Sequence, residues 1–389
     1  MVDLTPSSDE SSDDSPDDSP DDSPDDSPPD AAPPGAAQQP QQPQPQLRQS
    51  TLQFCETPEP AVVPEGGWLL VDLFCSIGGV SCAAKQLGHT VVLAIDVDEG
   101  RLGVHALNHP RCRHVAMELG HAVTDEVVSL IETAVPAGQR HRLWLHLSPP
   151  CQTQSAARLL RKRSACPHEE AEQTAKGLVL VQWALELVQR LQPAQWSLEE
   201  VNDSHGRVAA CLQAFKRQDR TLFDFEQLNF VDFGVPQSRS RIIGARPATM
   251  HALRLARSLR VPKPVCISDV LSVPKGAVFL RGIKNRHVNK IRMRRCPIVA
   301  GRWSDGRVEL WEPWLPAQTV CASHPHSWMD AAFDKLRVLS PAETGALMTF
   351  PSEFVWPAGR CDSACNADLG NAVPVLFARK MLLAASLRR

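Results

Sequence analysis

A cysteine stands behind two prolines in LSPPCQTQSAA (147–157), directly after the apolar run RLWLHLS (142–148). Most cysteines are small buried hydrophobes. Cys151 instead falls in a polar turn, with Arg158, Arg161, Lys162 and Arg163 just downstream. Positive neighbours and turn amides lower a thiol pKa and favour the nucleophilic thiolate, and the same basic loop suits phosphate. A second stretch, QWSLEEVND (195–203), carries two carboxylates, Glu199 and Glu200, at the end of a strand-like run. Strand neighbours face opposite ways, so at most one serves a site, and the other is expected in solvent or capping a helix. In VDFGVPQSRSRIIGAR (231–246), Arg239 and Arg241 share one strand face with Gln237 in line, which aims two guanidinium groups at one ligand. Finally, DLFCSIGG (72–79) reads as a strand end and a glycine-rich turn. Such a turn lets backbone approach a ligand, and Asp96, at the end of the next apolar run, is placed to hold ribose hydroxyls. The dinucleotide pattern GxGxxG is not matched.

The elements that must position these groups alternate. WLLVDLFC, HTVVLAIDVD (89–98), RLWLHLS and QWSLEEV have strand length and composition. VSCAAKQLG (80–88) and RLGVHALNH are helical, and a long helix spans HEEAEQTAKGLVLVQWALELVQRLQP, with Leu178, Val181, Leu185 and Val188 at three- and four-residue steps. Alternation of this kind implies an α/β fold, a doubly wound and mostly parallel sheet with helices on both faces. Ligands of such sheets bind at the carboxyl ends of the strands. The SIGG turn, Asp96, Cys151 and Glu199 all fall there.

The rest of the chain is organised around that unit. In its 389 residues, the first fifty hold twelve Asp/Glu and one basic residue, Arg48. The tail therefore carries −11 and the remainder, against a total of −3, about +8. Residues 1–60, with DDSP repeats and a Pro/Gln-rich run, have too little apolar surface to offset ordering entropy and are expected to be disordered. The sheet domain is expected over 66–249 and again over 331–389, with a small, irregular, basic domain between, at 250–330. There RGIKNRHVNKIRMRR (281–295) has seven Arg/Lys, among them Lys284, Arg286 and Arg292. No apolar run approaches the ~20 residues of a membrane span. Twelve cysteines without a leader-like N-terminus fit a reducing compartment. Neither Cys361 with Cys365 nor Cys166 with His168 completes a four-ligand zinc pattern, so no metal is expected.

Taken in order, these stretches resemble the cytosine-5 DNA methyltransferase family over about 69–389. DLFCSIGG resembles its first motif, with Ser76 where Gly is usual. Asp96-Val97-Asp98 resembles the acidic second motif, and Met117-Glu118-Leu119 the third. PPCQTQS is similar to the nucleophile motif, with Gln154 where an aromatic is usual. LEEV resembles the Glu-Asn-Val motif, with Glu200 in place of Asn. PQSRSR, RVLSPAETGALMTFP (337–351) and DLGNAVP (368–374) follow, Asp368 standing where Gln is common.

The resemblance implies an S-adenosylmethionine-binding sheet domain with a target-recognition domain at 250–330. It implies Cys151 as the nucleophile adding to cytosine C6, Glu199 acting at N3, and Arg239 and Arg241 holding the base oxygen and the carboxylate. Phe74, Ile77, Gly79, Asp96, Val97, Glu118, Pro150, Asn371 and Val373 fall where the family contacts cofactor. Gln152, Ser155, Arg158 and Gln237, with the basic residues of 281–295, would meet nucleic acid. The target base must leave its stack to be reached. DNA is the expected partner, a monomer the expected form, and the nucleus the expected location if the source is eukaryotic. Two alternatives stay open. One is an RNA enzyme of the same fold, although the Cys-Phe-Thr tripeptide of the tRNA-modifying branch is absent. The other is a silent nucleic-acid-binding homologue, for which Glu200 is the main support.

Overall fold

The computed structural model describes residues 67–150, 167–201, 206–259, 263–273, 278–281, 301–302, 309–322, 326–329 and 336–386. The expected disordered tail lies outside them. The first apolar run forms β1 (Leu69–Leu73), and the glycine-rich turn leads into α1 (Gly79–Gln86). There follow β2 (Thr90–Asp96), α2 (Glu99–Asn108), β3 (Arg113–Ala116), α3 (Thr124–Ala134) and β4 (Leu143–Leu147). The chain continues with α4 (Pro167–Leu191), β5 (Gln195–Glu200), α5 (Arg207–Gln218), β6 (Asp224–Asn229), β7 (Ser240–Ala245) and α6 (Pro247–Ser258). These strands make one seven-stranded sheet in the order β3-β2-β1-β4-β5-β7-β6. β1 to β5 pair in parallel, and β7 runs antiparallel to both its neighbours. This is the doubly wound sheet read from the alternation.

Both faces are covered, as the uninterrupted burial of β1 and β4 requires. Leu69, Val71 and Leu73 point to a layer with Leu145, Trp183, Trp196 and Phe223, while Leu70 points to the opposite one with Trp144, Phe230 and Phe377. Along α4, Val181, Leu185 and Val188 are buried at their helical spacing and Leu178 is half-buried. After the second domain the chain returns as α7 (Pro341–Leu347), α8 (Asp362–Asn371) and α9 (Val375–Ser386). α9 packs on α1 and α6, so the sheet domain is built from two separated pieces of chain.

Two expectations about the second domain change. Its described part is not irregular. Val278–Arg281 is the centre of a five-stranded antiparallel sheet, flanked by Glu309–Trp311 and His326–Met329, with Gly301–Arg302 and Leu336–Val338 at the edges. The strands are two to four residues long, too short for alternation to register in sequence. The boundaries also move. α6 packs on β6 and β7 of the first sheet, so that layer runs beyond 249, and Leu336–Val338 carries the second sheet past 330.

Candidate active site

The loop after β1 is held in an unusual path. Phe74 (φ 58°), Ser76 (φ 48°) and Gly78 (φ 88°) are all left-handed, a conformation that costs a non-glycine residue roughly 1–2 kcal/mol. The amides so exposed find partners on β2. Ser76 N donates to Asp96 Oδ2 (2.8 Å), Asp98 N to Asp96 Oδ1 (2.9 Å), and Cys75 N to the Ile95 carbonyl (3.2 Å). Asp96 thus ties the ends of β1 and β2 together. Burial pushes its carboxyl pKa up, and the amides of Asp98 and Ser76 pull it back in part. Each oxygen keeps a lone pair for a hydroxyl donor. Asp98 caps α2 by accepting from Arg101 N at 3.0 Å.

Around Asp96 the surfaces suit a nucleoside. Val97 is 65% exposed, large for a β-branched residue at a strand end. Phe74 is half-buried and packs edge-on against Trp183. Ser76 Oγ is buried without a hydrogen-bond partner among the described residues. An acceptor carboxylate, two apolar faces and an unsatisfied hydroxyl match a ligand with an aromatic ring and sugar hydroxyls. Glu118 and Pro150 are exposed and Asn371 is half-buried.

Three of the cofactor positions read from sequence do other work. Ile77 is 0% exposed and its side chain belongs to the core, so that side chain fixes the turn. The close approach that Gly79 allows is to protein. A Cβ there would lie 2.1 Å from the Val373 carbonyl oxygen. Gly79 and Val373 therefore seal the segment after α8 onto α1.

The second half of the site lies at the ends of β4 and β5. Ser148 N donates to the Leu73 carbonyl (3.2 Å), which brings the chain leading to Pro150 beside the turn after β1. Cys151, Gln152, Ser155 and Arg158 lie outside the described residues, as do Lys284, Arg286 and Arg292. β4 is fastened to β5 by side chains. Ser197 Oγ lies 2.8 Å from His146 Nδ1 and accepts from Trp144 Nε1 at 2.9 Å, and His146 Nε2 is 2.8 Å from Ser148 Oγ. Burial lowers the His146 pKa to about 3, so this clasp is neutral.

Glu199, at the end of β5, is 9% exposed. Its Oε1 lies 3.0 Å from Arg241 Nε and 4.0 Å from an Arg239 terminal nitrogen. The Arg241 contact has ion-pair distance but not hydrogen-bond alignment, and both Glu199 Oε1 and Arg241 Nε lack a hydrogen-bond partner among the described residues. The pair is close and still available. Arg239 is differently engaged. Its guanidinium donates to the carbonyls of Val320 (3.0 Å), Gly370 (3.4 Å) and Ala372 (3.2 Å). It positions the segments around Glu199, while Arg241 is the arginine at the carboxylate.

Two further expectations are corrected. Gln237 is 0% exposed. It donates to the Leu347 carbonyl (2.8 Å) and accepts from Val320 N (3.1 Å), so it is a strut and not a nucleic-acid contact. Glu200 is neither solvated nor a helix cap. It is 0% exposed, and its Oε1 accepts from Val201 N at 2.8 Å.

Some residues escaped the sequence. Arg101 and Arg360 both donate to the buried Asp368, with Arg101 Nε 3.0 Å from Oδ1 and Arg360 Nε 3.0 Å from Oδ2. Arg101 joins α2 to α8 beside the cofactor loop, and Arg360 braces the start of α8. The only signal was Asp368 itself, a carboxylate in an otherwise apolar stretch.

The family described as C-5 cytosine-specific DNA methylase matches residues 69–263. The Type II methyltransferase M.XorII of Xanthomonas oryzae pv. oryzae is 29% identical over 184 residues. That alignment covers 45% of this chain and 40% of the relative, so the chain spans less than half of that protein's length. Among solved structures, a protein of E. coli described as a DNA modification methyltransferase encoded within a prophage has a TM-score of 0.53 at 17% identity, covering 82% of this chain and 98% of that one. S. pombe Dnmt2 methyltransferase has 0.52 at 16% (82% and 98%), and a Spodoptera frugiperda DNMT2 mutant 0.51 at 15% (82% and 99%). At these identities the likeness is one of fold.

Proposed function

Because the chain belongs to the family of C-5 cytosine-specific DNA methylases, we propose that it methylates C5 of cytosine in DNA through a covalent adduct between Cys151 and C6. The observation that carries this reading is Glu199. A carboxylate at the end of β5, 3.0 Å from Arg241, sits one strand from where β4 delivers the chain to Pro150 and Cys151.

S-adenosylmethionine is the family's methyl donor, and when bound it supplies an electrophilic methyl group on a sulfonium. Asp96 would take its ribose hydroxyls, Val97 and Phe74 its ring, and Glu118, Pro150 and Asn371 line the approach. Cytosine C5 is too weak a nucleophile alone. Addition of the Cys151 thiolate at C6 makes it enamine-like. That addition places negative charge on the ring, and Glu199 offsets it by donating a proton or hydrogen bond at N3. Arg241 holds the carboxylate and the base oxygen. With the methyl group on C5, loss of the C5 proton to a base reforms the C5–C6 double bond and expels the Cys151 thiolate. Cytosine inside a duplex cannot reach Cys151, so the base swings out of the stack. Gln152, Ser155 and Arg158 follow the nucleophile and would close over it, and the basic residues at 281–295 would meet phosphates. In a eukaryotic source this substrate puts the enzyme in the nucleus.

The test uses tritiated S-adenosylmethionine with duplex DNA and with total tRNA, alongside a Cys151→Ser control. A duplex bearing 5-fluorocytosine serves as a trap, because fluorine cannot leave as the proton does. Label in DNA and an adduct absent from Cys151→Ser is the expected result. Label only in tRNA would overturn the substrate and keep the mechanism. Binding without label or adduct would make the chain a silent homologue.

A further inference from the structure

Behind the cofactor turn, α2 and β3 bring three metal-ligating side chains to one buried point. His105, Cys112 and His114 each offer a donor atom, and these atoms all lie within 4.8 Å of one another. His105 Nδ1 and His114 Nε2 are only 2.8 Å apart. The hydrogen bonds around them define what can lie between. Ser81 Oγ donates its one proton to Asp72 Oδ2 at 2.6 Å. With Asp72 ionised, His105 Nε2, 3.0 Å from the Ser81 oxygen, is the donor to it. His114 also hydrogen-bonds the backbone of Cys112. A neutral imidazole has a single N–H. Two neutral rings can put one shared N–H between the facing nitrogens, 2.8 Å apart, and a metal ion can take that proton's place.

We propose that His105, Cys112 and His114 bind a thiophilic divalent cation, Zn²⁺ by the chemistry of its two imidazoles and one thiolate. Zinc bonds of about 2.0–2.3 Å require the two histidine nitrogens to part slightly and Cys112 Sγ to adjust toward the ion, and a water completes the shell. Coordination displaces the Cys112 proton to solvent. The outer partners already have the form metal sites use. A ligating histidine typically gives its second N–H to a carboxylate or carbonyl, as His105 does through Ser81 to Asp72 and His114 does to Cys112. The ion would clamp α2 and β3 against the start of α1. His105 reaches the turn itself, since a Cβ on Gly78 would lie 2.7 Å from its Cδ2.

The experiment uses the full chain expressed with added zinc, gel-filtered, and assayed for metal by mass spectrometry. About one ion per chain is expected for a single structural site, retained in Cys361→Ser and lost in Cys112→Ala and in His114→Gln. Cobalt exchanged into the wild type should give a thiolate charge-transfer band that Cys112→Ala lacks. Ser81→Ala leaves all three donors in place, and competition with a chelator should show its affinity reduced about 10- to 100-fold. Circular dichroism checks that each variant is folded. A wild-type chain that holds no metal and shows no cobalt–thiolate band would overturn the proposal. It would mean that a shared proton, and not an ion, joins His105 to His114. Metal that persists in Cys112→Ala and His114→Gln would overturn it equally.

Discussion

Gly79→Ala puts a methyl group where the structure leaves no room for one. The new Cβ would sit 2.1 Å from the Val373 carbonyl oxygen, against 3.4 Å for the tightest ordinary contact. The obstacle is backbone, which cannot rotate aside as a side chain can. Either α1 or the segment around Val373 must retreat by more than an ångström. Overpacking of this kind costs about 1–3 kcal/mol, and a rigid carbonyl puts the cost near 3. Gly103→Ala is the matched control. It also lies in a helix, α2, and a Cβ there meets nothing within 4 Å. With no clash, only helix propensity acts, and alanine gains about 0.5–1 kcal/mol over glycine. One substitution thus has opposite signs at two sites. Thermal melts should show Gly79→Ala lower and Gly103→Ala slightly higher than wild type, at about 2–4 °C per kcal/mol for a domain of this size. Asn371 precedes Val373 and belongs to the proposed cofactor surface, so strain there should also weaken cofactor binding. Each 1.4 kcal/mol that falls on the bound state raises Kd about tenfold, readable by calorimetry. If Gly79→Ala melts with the wild type and binds cofactor equally well, the contact between α1 and the Val373 carbonyl is not as drawn.

The other expectations are briefer. Glu199→Gln should lower methyl transfer by about 10²–10⁴-fold, the range for a lost general acid. Glu200→Gln should stay within a few-fold, because its amide oxygen can still accept from Val201 N; equal losses in tritium transfer would refute the separation of roles. His146 is buried with a pKa of about 3 against 6.5 when unfolded. Its contribution is complete above pH 6.5 and lost as pH falls toward 3, at about 1.4 kcal/mol per pH unit. Urea midpoints of His146→Gln should therefore fall less steeply with acid than those of wild type. Ser340 caps α7, accepting from Glu343 N at 3.3 Å while Glu343 reaches back to Ser340 N. Ser340→Ala should cost about 1 kcal/mol in denaturant unfolding, and an unchanged midpoint would mean that the cap is not formed.

The sequence made the strand-end geometry legible because parallel strands buried on both faces leave uninterrupted apolar runs. LLVDL and LWLHL could hardly be anything else, and the residues just past them had to lie at one edge. Asp96 and Glu199 were found by that rule, and Arg241 by its two-residue spacing from Arg239 on one strand face. What sequence could not reveal was the direction of a side chain once it arrived. Gln237 and Arg241 stand four residues apart, yet one is a buried strut and the other faces Glu199. Glu200 was expected in water because carboxylates seldom lie fully inside; the amide of Val201 supplies it a local partner. Ile77 was hidden by a similar limit, since a turn between a strand and a helix gives no periodicity from which to read a face. The His105, Cys112 and His114 cluster has no metal spacing to detect, because its donors come from a helix, a loop and a strand that converge only on folding.

The arginine positions separate holding a site from acting in it. Arg239 spends its hydrogen bonds on three carbonyls, from Val320 near the second domain and from Gly370 and Ala372 at the end of α8. Arg101 and Arg360 both converge on Asp368. These cations are committed to holding the chain together, Arg239 and Arg101 across long separations in sequence and Arg360 at the start of α8. Arg241 has an acidic partner at contact distance without alignment, so its Nε and Glu199 Oε1 remain free to reorient toward a ligand. A pair meant only for stability would be expected to close that bond, because a buried charge gains by being fully hydrogen-bonded. The open geometry therefore argues that Glu199 and Arg241 complete their hydrogen bonds with a bound base.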